Sequence, residues 1–188
     1  DNQLNKEYPK LIPEHFAPEI KYELGGEDPL DGISIYKDIQ NGCFHYITYG
    51  FSEIYSKETD NPDLSGYGFE LTFRLKFNND SNTPTWPLNL LQNIARLVFD
   101  KGIGFISGQS INSGPIRTEP STNATGILFI EDPTLKKLST TNGELTFLQI
   151  FGITADELNL INSSETELIQ FIENQISSNR LLITDIEK

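Results

Sequence analysis

GYGFELTFRLKFNNDSNTPTWP, residues 66–87, decides the fold. Phe69, Leu71, Phe73, Leu75 and Phe77 alternate with Glu70, Thr72, Arg74 and Lys76. A period of two over nine residues predicts a strand with one apolar face on a core and one solvated face. The second half is a polar connection that runs into Thr-Pro-Thr-Trp-Pro and then a helical pattern. Pro87 suits the first turn of a helix, where its missing N–H costs nothing, and Thr85 is the expected cap. Leu90, Leu91, Ile94, Leu97 and Val98 follow at spacings of three and four, so an amphipathic helix returns over the strand and stops near Gly102.

Upstream, residues 1–24 carry Pro9, Pro13 and Pro18 and read as a short helix at best before Pro9, then an extended arm over residues 1–20. Residues 21–24 are expected to form a first strand, ended by Gly25-Gly26. Residues 33–36 and 44–49 are β-rich runs joined by the hairpin turn Asn41-Gly42. Residues 56–66 read as a polar loop. Downstream, residues 104–126 are rich in Gly, Ser, Thr, Asn and Pro, and a connection of that length is a place for function. Residues 127–130 and 145–153 read as strands, the second apolar on both faces and therefore central. Thr154-x-x-Glu157 and Ser164-x-x-Glu167 are capping boxes that each open a helix. The last helix is expected to present Leu168, Ile169, Ile172 and Ile176 on one side, and residues 181–184 to close the sheet. The whole reads as one compact α/β (α+β) domain over residues 1–188, a mixed sheet flanked by helices.

Length allows one well-buried domain, and 37% hydrophobic with 11% aromatic residues argues against disorder. The 14 Lys and Arg against 27 Asp and Glu leave a net charge of −13. Such a surface repels phosphate, which excludes sequence-independent nucleic-acid binding and favours a basic protein partner. Cys43 is the single cysteine, so no internal disulfide forms. With no signal peptide and no apolar run near 18 residues, a cytoplasmic protein without a membrane anchor is expected. The chain starts at Asp1 and holds no Met, so an upstream start is also expected.

Chemistry finds little footing. Cys43 and His45 share a strand face, but His15 is the one further imidazole, and a zinc site wants three or four ligands at recognisable spacings. Ser107, beside Gly108, lacks the G-x-S-x-G spacing of a nucleophile elbow. Gly102-Ile-Gly104 follows a helix where a dinucleotide loop needs a strand. Glu70 and Glu131 would allow an acid/base pair, though solvated strand faces carry carboxylates routinely. Tyr46, Tyr49, Phe51, Tyr55, Tyr67 and Phe69 read mainly as core. No enzyme, no metal and no cofactor are expected; a hydrolase using Ser107 with His45 is the rival from another class.

GYGFELTFRLK with PTWP and LLQNIARLVF resembles the amino-terminal lobe of the suppressor of fused family. LGGEDPLDGISIY (24–36), FHYITYGFSEIY (44–55), EDP (131–133), LTFLQIFGITADEL (145–158) and LLITD (181–185) follow in the family's order, so the resemblance covers residues 20–186. It implies a non-enzymatic binder. The animal proteins are two-lobed and hold zinc-finger transcription factors of Hedgehog signalling through a peptide added as a strand between the lobes. The positions matching their peptide contacts are Leu97, Gln109, a residue near Gly114, and Glu131, of which Glu131 alone keeps its residue type. The resemblance therefore points first to the short bacterial relatives, linked to immunity proteins that neutralise polymorphic toxins. An intracellular adaptor that sequesters a signalling or transcription protein is the alternative.

Overall fold

The structure is a computed structural model that describes residues 2–53, 56–77 and 82–187. Among them the elements run α1 (Asn2–Glu7), β1 (Glu14–Phe16), a 3-10 turn (Tyr22–Leu24), β2 (Gly32–Asp38), β3 (Cys43–Tyr49) and β4 (Leu64–Lys76). Then come α2 (Trp86–Lys101), β5 (Ser110–Asn112), β6 (Ala124–Glu131), β7 (Leu138–Thr140), β8 (Gly143–Thr154), α3 (Ala155–Ile161) and α4 (Glu165–Ser178). The strands form one mixed sheet in the order β1-β2-β3-β4-β8-β6-β5, with β7 paired to the start of β8. The chain folds as one α/β unit. β4 and β8 lie parallel at the centre, and every other ladder is antiparallel.

The apolar side of β4 behaves as its alternation dictates. Phe69, Leu71, Phe73 and Leu75 are buried against Leu91, Ile94, Ala95 and Val98 of α2. Each fully buried side chain of this size stabilises the fold by about 1.5–3 kcal/mol. Pro87 sits in the first turn of α2, and Gly102 ends the helix in a left-handed conformation, φ 64°. Thr85 is the residue before the helix, but its own side chain makes no capping bond. β8 is central, and the Thr154 hydroxyl and Glu157 carboxylate cap α3 reciprocally.

The opposite face of β4 is the main correction. Glu70, Thr72 and Arg74 are buried, not solvated, because that side of the sheet is covered twice. Leu4 and Tyr8 from the α1 segment pack with Tyr36, Ile47, Leu135, Leu145 and Phe147. Leu158 and Ile161 of α3 and Phe171 of α4 pack with Leu128, Ile130, Phe151 and Ile153. Thr72 and Arg74 bond Asp132 there, and Glu70 bonds the turn after β3.

Smaller differences have local causes. Residues 22–24 form a 3-10 turn, not a strand, closed by a left-handed Gly25. β4 begins at Leu64 within the expected loop, and its ladder shifts register between Leu64 and Phe69, where Gly66 and Gly68 take positive φ. Residues 181–184 contribute a single bridge, Leu75 to Thr184. On α4 the packed residues are Leu168, Phe171 and Ile172, whereas Ile169 and Ile176 are exposed.

Candidate functional site: an edge strand and its groove

After Gly102 the chain turns back across β6. The Gly108 N–H donates to the Phe129 carbonyl at 2.8 Å, and the Phe129 N–H to the Gln109 carbonyl at 2.9 Å. The Phe105 ring stacks on Phe129 with centroids 4.0 Å apart. This anchoring delivers β5, which pairs antiparallel with β6 through Ser110↔Leu128, Ile111↔Ile127 and Asn112↔Gly126. β5 is the last strand of the sheet. With the 108–109 and 113 bonds directed to β6, antiparallel alternation turns the backbone groups of Ser110 and Asn112 to the open edge.

A groove of about 450 Å³ lies beside this edge, walled by Leu97 and Lys101 of α2, Ile103 and Phe105 of the loop, and Gln109 and Ile111. Leu97 is 40% exposed, Ile103 70% and neighbouring Ile106 66%. Exposed apolar side chains around a groove mark an interaction surface more than they mark a solvated one. Leu97 and Gln109 thus line one groove. Glu131 is exposed and is not among its lining residues, but its N–H donates to Ser107 Oγ at 3.3 Å in the same loop. Gly114 lies just past β5 in a left-handed turn.

The cluster that most resembles catalytic machinery is sealed inside the sheet. His45 and Arg74 face each other across β3 and β4, and Asp132 reaches them from the loop after β6. Asp132 accepts from Arg74 Nη1 at 2.8 Å, Thr72 Oγ1 at 2.7 Å, Thr134 N at 2.9 Å and Leu135 N at 2.9 Å. Burial pushes its carboxyl up, but the His45 and Arg74 contacts outweigh that and hold it below the usual carboxylate range. Burial and the Arg74 charge lower His45 to about 4, so the ring is neutral. A carboxylate faces Nε2 at 3.4 Å, poorly aligned for a hydrogen bond, so the proton sits there and Nδ1 accepts from the Tyr8 hydroxyl at 2.6 Å. Gln149 joins the cluster by accepting from Arg74 and donating to the Leu181 and Leu182 carbonyls at 2.9 and 2.6 Å. The arrangement ties α1, the 132–135 loop and the C-terminal segment to the sheet. With His45 fully buried and Asp132 only 4% exposed, no substrate reaches it.

Glu70 is also buried. It accepts from Thr48 Oγ1, Gly50 N, Ser52 N and Ser52 Oγ at 2.6–3.1 Å and so fixes the turn after β3. Burial raises its carboxyl to about 7 against those hydrogen bonds.

Exposed Ser107 lies in the β6-edge loop, while His45 is sealed among Tyr8, Arg74 and Asp132, so the hydrolase pairing is not assembled. Cys43 is a buried thiol pushed up to about 12 by burial, and no metal-binding cluster of His, Cys, Asp and Glu is found among the described residues. Tyr46, Phe51 and Phe69 are core, while Tyr55 lies outside the described residues. No described helix is long and apolar enough to cross a membrane. Sequence reasoning singled out Glu131 of Glu-Asp-Pro and missed Asp132, whose only signal is an acidic residue before Pro133 at the end of an apolar strand.

Comparison with known proteins gives this scaffold relatives. The family model described as Suppressor of fused protein (SUFU) matches residues 26–188. The human Suppressor of fused homolog is 39% identical over 153 residues, 74% of this chain and 31% of that protein; the mouse homolog matches equally. The chain therefore spans under a third of the curated relatives it matches. A chain of the Sufu–Fu complex crystal structure superposes with TM-score 0.86 at 30% identity, covering 99% of this chain and 87% of that one. Drosophila Suppressor of Fused gives the same score and identity over 48% of its chain. A putative homolog from Neisseria gonorrhoeae shares the fold at TM-score 0.69 and 15% identity, with 100% and 91% coverage. A family match over nearly the whole sheet, joined to identities of 39% and 30%, means that this chain belongs to the suppressor of fused family.

Proposed function

We propose that this domain holds a protein partner by accepting an extended segment of it along the open edge of β5. The family is a non-catalytic protein-interaction module. The observation that carries the reading is the juxtaposition of the unpaired Ser110–Asn112 edge with the apolar groove of Leu97, Ile103, Phe105 and Ile111. Edge hydrogen bonds supply affinity, and the groove selects side chains at alternate positions. Gln109 lines the contact, and Glu131 stands at its end.

An adaptor that sequesters a signalling or transcription protein in the cytoplasm is the better supported role. Identity is 39% and 30% to the animal proteins against 15% to the Neisseria one, and one of the solved relatives is a Sufu–Fu complex. The net charge of −13 supports a second reading, immunity against a basic toxin, since complementary charge speeds encounter. A toxin gene directly beside this one would favour the second role.

Capture from host lysate on the immobilised domain tests the docking. Ser110→Pro removes an outward N–H while leaving the bonds to β6 in place. Wild type is expected to retain a partner that Ser110→Pro loses; equal retention would overturn docking at β5.

A further inference from the structure

A second concavity adjoins the groove. A Cβ added at Gly104, a groove residue, would stand 3.5 Å from the Tyr67 carbonyl, and Tyr67 lines a pocket of about 350 Å³. Three rings wall the pocket. Tyr22 meets Phe99 edge-on at 5.6 Å, and Tyr67 lies 5.2 Å from Phe99. Glu23, Asp31 and Glu58 supply carboxylates around them, with Lys21 as the one cation among the described lining residues. A fourth carboxylate, Glu53, is engaged by Lys57 at 3.0 Å.

The pocket is built before any ligand arrives. Its floor is Gly50, Phe51 and Ser52, the turn held by buried Glu70. Phe51 accepts from the Tyr67 N–H at 2.9 Å, and Gly66 approaches so closely that a Cβ there would stand 2.4 Å from the Phe51 carbonyl. Ring faces beside carboxylates recognise one kind of group, an organic cation. Aromatic rings attract a cation through their quadrupoles, and carboxylates offer charge and acceptors.

We propose that this pocket takes a basic side chain, arginine or lysine, from the partner whose extended segment lies on β5. The inference rests on that docking for the identity of the ligand, and on the pocket itself for its chemistry. The contact between Gly104 and Tyr67 makes the two concavities neighbours, within reach of one partner. Two chemically different pockets then select a segment that is apolar along β5 and basic beyond it.

The test is an NMR titration of the whole chain with N-acetyl-arginine amide and N-acetyl-lysine amide, with N-acetyl-citrulline amide as the neutral control. Saturable shifts are expected at Gly50, Phe51, Gly66 and Tyr67 with either cation and not with citrulline. Tyr22→Ala should weaken binding about threefold, the loss of one exposed cation–π contact, and Glu58→Gln should weaken it as well. Ser110→Pro should leave the titration unchanged, so loss of β5 docking and loss of this site read separately. Absence of saturable shifts, equal shifts with citrulline, or undiminished affinity in both pocket variants would overturn the proposal.

Discussion

The Arg74 guanidinium and the Asp132 carboxylate meet inside the sheet, Nη1 2.8 Å from Oδ2, with both residues buried. They are 58 positions apart in the chain, and the pairing joins β4 to the loop that follows β6. Removing one member of such a pair leaves the other charge buried and unmatched. Asp132→Ala and Arg74→Ala should each cost about 3–5 kcal/mol, and the double variant should cost clearly less than their sum. Urea unfolding of the three variants and wild type measures this cycle.

Glu70 sets a limit on the alkaline side. Its carboxyl is raised to about 7 from 4.5, so the folded state keeps a proton that the unfolded chain releases. That stability is complete below the unfolded value and is lost as pH rises through about 7. Relative to wild type, Glu70→Gln should therefore gain about 3 kcal/mol between pH 4.5 and 7.5. Denaturant curves at the two pH values decide it, and an unchanged difference would refute the assignment.

His45 works in the opposite direction. Lowered to about 4 from 6.5, the folded ring stays neutral while the unfolded chain takes up a proton. Its contribution is present above 6.5 and is lost as pH falls towards 4, about 3 kcal/mol in full. His45→Gln should flatten that acid limb. Tyr8→Phe, which leaves Nδ1 without its donor, should cost about 1–3 kcal/mol at neutral pH. It should also loosen α1, read as faster amide exchange at residues 3–8.

Leu97 separates binding from folding. Its side chain is 40% exposed, so Leu97→Glu should change stability by under about 0.5 kcal/mol. A carboxylate in the groove should nonetheless abolish partner capture. Retained capture by a folded Leu97→Glu protein would remove the groove from the contact.

The apolar half of this architecture was legible from local pattern. Alternation through Phe69–Leu75 gave the strand and its core face, and Pro87, Gly102 and Thr154-x-x-Glu157 marked helix ends by backbone chemistry that depends on near neighbours alone. The polar half was not. Glu70, Thr72 and Arg74 have the spacing of an ordinary solvated strand face, but Glu70 is bonded by Thr48 and Ser52, and Thr72 and Arg74 by Asp132 and Gln149, far away in sequence. Spacing likewise says nothing of Leu97 and Gln109 sharing a groove; family resemblance singled both out, and the close packing of the 102–109 loop on β6 brings them together. Ile169 and Ile176 were misassigned because Phe171, one position off the expected stripe, is the larger anchor for α4.

Hydrogen exchange of the domain bound to its captured partner addresses β5 docking most directly. Strong slowing of the Ser110 and Asn112 amides, which face the open edge, is the expected result. Unchanged exchange at both, with protection confined to another surface, would contradict a partner strand at β5.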